Sequence, residues 1–208
     1  MALVLFLQLV VKKQGQWGLI TGLVCIMITA IWKGYSRLLG RFPLPTMSCT
    51  TGCLMATGDC ISQTVIERKT WKQYDGIRTG RFLVFGFFVF GPAMRFWYLT
   101  LDKLYAGKKL AALKMTATDQ IVMSPIFLST FLIGMGLLKR ESPEQIKDHF
   151  KNDFPSILLN NYKVWPAAQI INFYFMPLQH RVLLVNFVSV GWNTYLSWAS
   201  ENSSRTTS

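Results

Sequence analysis

Four apolar stretches, each close to the roughly twenty residues that a helix needs to cross about 30 Å of hydrocarbon, dominate the chain. They run from Thr46 to Val65, Phe82 to Leu101, Thr116 to Leu138 and Tyr162 to Leu178. A lipid-embedded segment must satisfy its own backbone hydrogen bonds, so each reads as a spanning helix. Hydrophobic residues make up 51% of the 208 and charged residues 15%, and the mean hydropathy is +0.29. That leaves too little polar surface to coat a water-soluble globule. The expected fold is an all-α, polytopic membrane helical bundle with about four core transmembrane helices, and the lipid bilayer is its first partner.

The formal net charge of +12 does not indicate nucleic acid. Basic residues are dispersed among the inter-helix segments: Arg68, Lys69 and Lys72 after the first span, Lys108 and Lys109 after the second, Lys139 and Arg140 after the third. That dispersal suits anchoring at a bilayer surface, and no direct nucleic-acid binding is expected. The similar basic count of each loop gives no asymmetry from which to orient the bundle.

Three further segments flank the core. Ser142 to Leu159 reads as an interfacial amphipathic helix, with Ser142 as its cap, Pro143 in the first turn and Glu144 near the positive helix end. Val182 to Trp198 is a C-terminal apolar helix, long enough to span or to fold back on the fourth span. Residues 1–31 form an apolar and basic extension or extra helix, too apolar for a transit peptide and with the charge order of a secretory signal only if Lys12 and Lys13 begin its positive region. Residues 32–198 are the bundle, and 199–208 a polar tail expected to be disordered.

Polar groups inside the spans carry the functional signal. In the first span Ser48, Thr51, Asp59, Ser62 and Gln63 fall on one helical stripe. A carboxylate such as Asp59 costs on the order of 3 kcal/mol near mid-membrane, so it should face the interior. The third span repeats the device with Asp119 and Gln120, followed on the same face by Met123, Phe127 and Thr130. Arg78, Arg81 and Arg95 are candidate partners for the carboxylates, with Gly86 and Gly91 allowing close helix approach. In the fourth span Gln169 and Asn172 share a face, with Ile170 and Ile171 outward, Pro166 and Pro177 bracketing the helix, and Arg181 just beyond, beside Asp59 or Asp119. Two readings follow: the polar groups glue helices together, or they line a path for small solutes.

Catalysis finds little support. His149 and His180 have no triad partner at a suitable spacing, and no phosphate loop or zinc motif occurs. Cys49, Cys53 and Cys60 share a helical face as small packing residues, and Cys25 stands alone. A non-enzymatic protein without cofactor or metal is expected.

Several motifs occur in a recognisable order. They are W-x-x-Y-x-x-x-L-x-x-x-P at Trp32 to Pro43, G-D-x-x-x-Q at Gly58 to Gln63, R-x-x-R at Arg78 to Arg81, and G-P followed by W-Y-x-x-L-D at Gly91 to Asp102. D-Q-x-x-x-x-P at Asp119 to Pro125, W-P-x-x-Q-x-x-N-F-x-x-x-P at Trp165 to Pro177 and G-W-N-T-Y-L-S-W at Gly191 to Trp198 complete the set. Over Trp32 to Trp198 the chain resembles the family of Mpv-seventeen and the twenty-two-kilodalton peroxisomal membrane protein, with Trp165, Pro166, Phe173, Pro177, Trp192 and Tyr195 as signature positions. The resemblance implies about four spanning helices and channel-like behaviour towards small solutes, as a homo-oligomer or within a larger membrane complex. It is closer to the mitochondrial branch, which implies the inner membrane and support of mitochondrial DNA maintenance and nucleotide supply. The peroxisomal membrane is the alternative location, although the terminal T-T-S is not a peroxisomal address.

Overall fold

The computed structural model describes residues 15–105, 107–175 and 181–206, with side chains described except at 15–24, 28, 172–174, 181–183 and 202–206, and these residues are helical apart from short connections such as 67–75, 107–110 and 140–142. It divides into two units, Met1–Thr46 and Met47–Ser208. In the first unit, helix α1 covers Gly15–Arg41. Part of the 1–31 extension is therefore helical.

The second unit is the bundle. Helix α2, Pro43–Ile61, widens into a π-turn at Ser62–Ile66. Helices α3 (Gly76–Phe85) and α4 (Gly91–Tyr105) are joined through a π-turn at Gly86–Phe90 into one rod. Helices α5 (Ala111–Thr118) and α6 (Ser124–Lys139) are joined likewise through Asp119–Met123. Helix α7 covers Pro143–Phe175 and α8 covers Arg181–Thr206. Among the described residues, the two rods Gly76–Tyr105 and Ala111–Lys139 are the helices long and apolar enough to cross a membrane by length and composition.

Local chemistry sets the helix starts. Asp75 caps α3 by accepting from the Arg78 backbone N–H at 2.9 Å, which satisfies an otherwise orphan donor. Ser142 and Gln145 form a reciprocal capping box on α7, at 2.8 and 3.3 Å.

The interfacial helix and the fourth span are one helix. Pro155 and Pro166 both lie inside the 33-residue α7, so Pro166 does not open a helix as its position suggests. One inward stripe explains the continuity: Phe150 and Phe154 stack at 4.7 Å against the core, and Ile157 and Asn161 continue it, 1% and 4% exposed. Helix α8 also runs on to Thr206, through most of the segment expected as a disordered tail. Cys49 and Cys53 are exposed rather than packed.

Aromatic packing forms the apolar half of the interior. Phe82 and Phe85 of α3 meet Phe131 of α6 at 5.9 and 6.1 Å, and Phe90 meets Phe127 at 4.5 Å. Met55, Met135, Ile157 and Leu196 complete the cluster. Close approaches hold the helices together, since lipid supplies no hydrophobic force between them. Gly91 lies against Ser48 and Gly86 against Gly52, as the sequence leads one to expect. A Cβ on Gly58 would stand 2.5 Å from that of Asn193 on α8.

The same substitution should therefore act in opposite directions at two sites. Gly58→Ala must push α2 from α8 and is expected to cost about 1–3 kcal/mol. Gly80→Ala, with nothing within 4 Å of the added carbon, should gain about 0.5–1 kcal/mol from helix propensity. Thermal unfolding in detergent checks both; a Gly58→Ala protein that melts with the parent would contradict the tight crossing.

Candidate functional site

Where α2, α3 and α8 meet, a charged cluster is sealed from solvent. Arg78 of α3 is 1% exposed and Asp59 of α2 is 0%. The Arg78 Nε lies 2.6 Å from Asp59 Oδ1, and its Nη1 lies 2.7 Å from Glu67 Oε1. Its Nη2 donates to Ser197 Oγ of α8 at 2.6 Å, and that hydroxyl donates on to Asp59 Oδ1 at 2.6 Å. The other Asp59 oxygen accepts from Gln63 Nε2 at 2.9 Å and Thr79 Oγ1 at 2.6 Å. A buried charge survives only with this degree of pairing and hydrogen bonding.

Gln63 also shapes the loop that supplies Glu67. Its amide pairs with the Asp75 backbone in both directions, accepting from the N–H at 2.8 Å and donating to the carbonyl at 3.0 Å. It thus fixes the cap of α3 and hence the height of Arg78. Lys69 bonds both Glu67 and Gln63, at 3.1 and 3.2 Å. Lys139 at the end of α6 pairs with Glu201 of α8 at 2.7 Å, and Glu201 stands 4.0 Å from Arg78 Nε. Asp59, Glu67 and Glu201 face Arg78, Lys69 and Lys139, so the formal charges of these six cancel, and Glu141 adds a further carboxylate 4.0 Å from Lys139 at the margin.

Burial raises the Glu67 pKa, but its bonds to Arg78 and then to Lys69 outweigh this and hold it below its ordinary 4.5. A carboxylate depressed in the folded state contributes stability above its unfolded pKa and loses it as the pH falls through the folded one.

A second polar cluster lies in the α5–α6 rod. Asp119 accepts from Trp97 Nε1 at 2.8 Å and from Gln120 Nε2 at 3.0 Å, and Gln120 accepts from Asn161 of α7 at 3.0 Å.

Placement of the sequence candidates is mixed. Ser48, Asp59, Ser62, Gln63 and Gln120 are buried, while Thr51 is half-buried and its hydroxyl returns to the Met47 carbonyl at 2.9 Å. Arg78, and not Arg81, meets Asp59: the inward face of α3 runs Arg78, Phe82, Phe85, and Arg81 is off that face. The buried face after Gln120 is Ser124, Leu128, Phe131 and Met135; of Met123, Phe127 and Thr130, Phe127 packs against the core at its edge, Met123 is half-buried and Thr130 is exposed. Among the described residues, Asp59 takes its partners from α2, α3 and α8. Gln169 is half-buried and Ile170 and Ile171 are 53% and 47% exposed. The side chains of Asn172, Phe173 and Arg181, and Pro177 altogether, lie outside the described residues. Sequence reasoning did not single out Glu67, Thr79, Ser197 or Glu201, and it read Lys139 as a bilayer-surface anchor rather than as the partner of Glu201; the i, i+4 spacing of Ser197 and Glu201 is the signal that was there to read.

The chain matches the model of the Mpv17 / PMP22 family over residues 136–197. It is 41% identical to the mitochondrial inner membrane protein Mpv17 of Xenopus laevis over 85% of this chain and 100% of that protein. The Danio rerio protein of the same name is 40% identical over 82% of this chain and 97% of its own length. The chain belongs to this family. Protein SYM1 of Gibberella zeae is 38% identical over 81% of this chain and 96% of its own length. No solved structure matches. As a member of the family the chain is a multi-pass protein of the mitochondrial inner membrane. Its signature residues join α7 to α8: Trp165 meets Trp192 at 6.4 Å, Trp192 meets Tyr195 at 5.2 Å, and Asn160 donates to the Tyr195 hydroxyl at 2.8 Å.

Removing one partner of the buried pair should be far worse than removing both charges. Arg78→Met strands Asp59 and is expected to cost about 3–5 kcal/mol, with a substantial part recovered in Asp59→Asn/Arg78→Met. Equal losses in single and double variants, read by unfolding in detergent, would contradict the pairing. Acid should weaken the bundle as the pH falls below about 4.5, and Glu67→Gln should start less stable at neutral pH and lack that part of the titration. The check is melting temperature against pH for the two proteins.

Proposed function

We propose that the chain acts as a weakly selective channel for small solutes in the mitochondrial inner membrane and thereby supports mitochondrial DNA maintenance. The observation that carries this reading is the interior itself. Among the described residues, polar side chains such as Ser48, Asp59, Ser62, Gln63, Gln120, Asn161 and Asn193 are buried on the scale of the apolar core. Each is costly in a span, and they come from α2, the α5–α6 rod, α7 and α8. A bundle serving only as an anchor needs none of them. The charge cluster at one end acts as a closure, and its internal cancellation fits weak selectivity, because a balanced ring imposes no strong preference for either ion sign.

The complete burial and mutual pairing of Asp59 and Arg78 favour a second reading, in which the cluster only locks the helices of a structural or assembly protein. One variant separates the two. On the channel reading, Asp59→Asn removes a negative charge from the cluster, so the reversal potential of purified protein in planar bilayers under a salt gradient should shift towards anions. On the structural reading the variant loses thermal stability and leaves any conductance unchanged. An electrically silent parent protein in clean reconstitutions would overturn the channel.

A further inference from the structure

One group of basic residues lines up along a single helix face. On α1, Lys33, Arg37 and Arg41 follow one another at four-residue steps, and all three are exposed. At about 100° per residue this spacing places them within a quarter of the helix circumference, over about 12 Å of its length. The half-buried residues of the same turns, Trp32, Tyr35 and Leu39, fall on the opposite side. The sequence holds no acidic residue before Asp59, so the helix offers its own cations no carboxylate. The stripe begins where the apolar run of α1 ends, beside Trp32 and Tyr35, whose rings lie 6.1 Å apart, and it closes with Arg41 over the Phe42 ring at 5.4 Å. Aromatic rings next to basic residues at the end of an apolar run are the composition of a membrane interface.

We infer that Lys33, Arg37 and Arg41 form a binding surface for the phosphates of anionic phospholipid headgroups, which hold α1 at the bilayer surface. Charge complementarity argues for this occupant. Three long cationic side chains on one face reach headgroup phosphates while their stems lie along apolar surface, and Arg37 and Arg41 add planar donors suited to phosphate oxygens. A bilayer presents such phosphates as a continuous sheet at the level where the apolar run stops. Each basic residue near an anionic surface contributes roughly a fivefold gain in binding.

The test is native mass spectrometry of the full chain in neutral detergent, titrated with phosphatidylglycerol and, separately, with phosphatidylcholine. The parent should bind phosphatidylglycerol more tightly, and the preference should shrink as salt rises from about 50 to about 500 mM. Lys33→Gln/Arg37→Gln/Arg41→Gln should lose the preference by more than tenfold, and the single Arg37→Gln, which disturbs the helix least, by roughly fivefold. Lys72→Ala/Lys147→Ala/Lys151→Ala removes three exposed lysines elsewhere and should leave it intact. Equal losses in the two triple variants would reduce the effect to net charge and overturn the stripe. A parent that binds both lipids alike would overturn it outright.

Discussion

Arg78 sets the terms on which the bundle can assemble. A guanidinium that is 1% exposed has given up its hydration, at a cost of several kcal/mol, and only well-placed acceptors return it. Its partners come from three places: Asp59 on α2 and Glu67 on the loop that follows, as ion pairs, and Ser197 on α8, as a hydrogen bond. They converge only when the helices stand at one height and one rotation. The absence of a side chain on Gly58, next to Asp59, makes this possible, because the α2 backbone then comes close enough to Asn193 and Thr194 for the carboxylate to meet Ser197 one turn further on. The ion pair need not add net stability over an apolar alternative to have this effect. Any other register would strand two buried charges, so the pair selects the arrangement.

The rest of the interior is consistent with assembly in lipid, where apolar surface gains little by leaving the bilayer for a neighbouring helix. Phe82, Phe85, Phe90 and Phe131 supply packing and ring-edge contacts on one side. Hydroxyl, amide and charged groups supply direction on the other. The two halves share α3, whose inward face changes from Arg78 to Phe82 within one turn. That single stripe ties the cluster to the aromatic core, so a disturbance of the charges is carried into the packing.

Much of this was legible in the sequence, for definable reasons. Helix class and the two long apolar rods follow from the length of apolar runs, and the burial of Asp59 follows from the cost of a carboxylate in hydrocarbon. The family follows from motifs in order. Which arginine would meet Asp59 was not legible, because Arg78 and Arg81 are only three residues apart and the choice depends on where Asp75 caps the helix. Glu67 and Lys69 follow the span, in what reads as an ordinary basic loop, and it is the fold that turns them inward. The length of α7 was hidden by Pro155 and Pro166, which are breakers in water; across Pro155 the packed face of Phe150, Phe154, Ile157 and Leu158 runs on without a gap.

The π-turns were equally invisible, and they explain how the polar sites are built. In each, an N–H bonds five residues back: Glu67 to Ser62, Gly91 to Gly86, and Ser124 to Asp119. The wider turn reduces the angle between neighbouring residues below the roughly 100° of an α-helix. Two consecutive side chains can then both face inward. Ser62 and Gln63 do so at 0% exposure each, Ser62 meeting Glu67 and Arg78 while Gln63 meets Asp59 and Asp75. Asp119 and Gln120 do the same towards Trp97 and Asn161. A regular helix would turn one member of each pair towards lipid, at the cost of an unpaired polar group in hydrocarbon. Paired polar neighbours in an apolar run therefore call for a local widening of the helix, and both polar sites of this bundle stand on one.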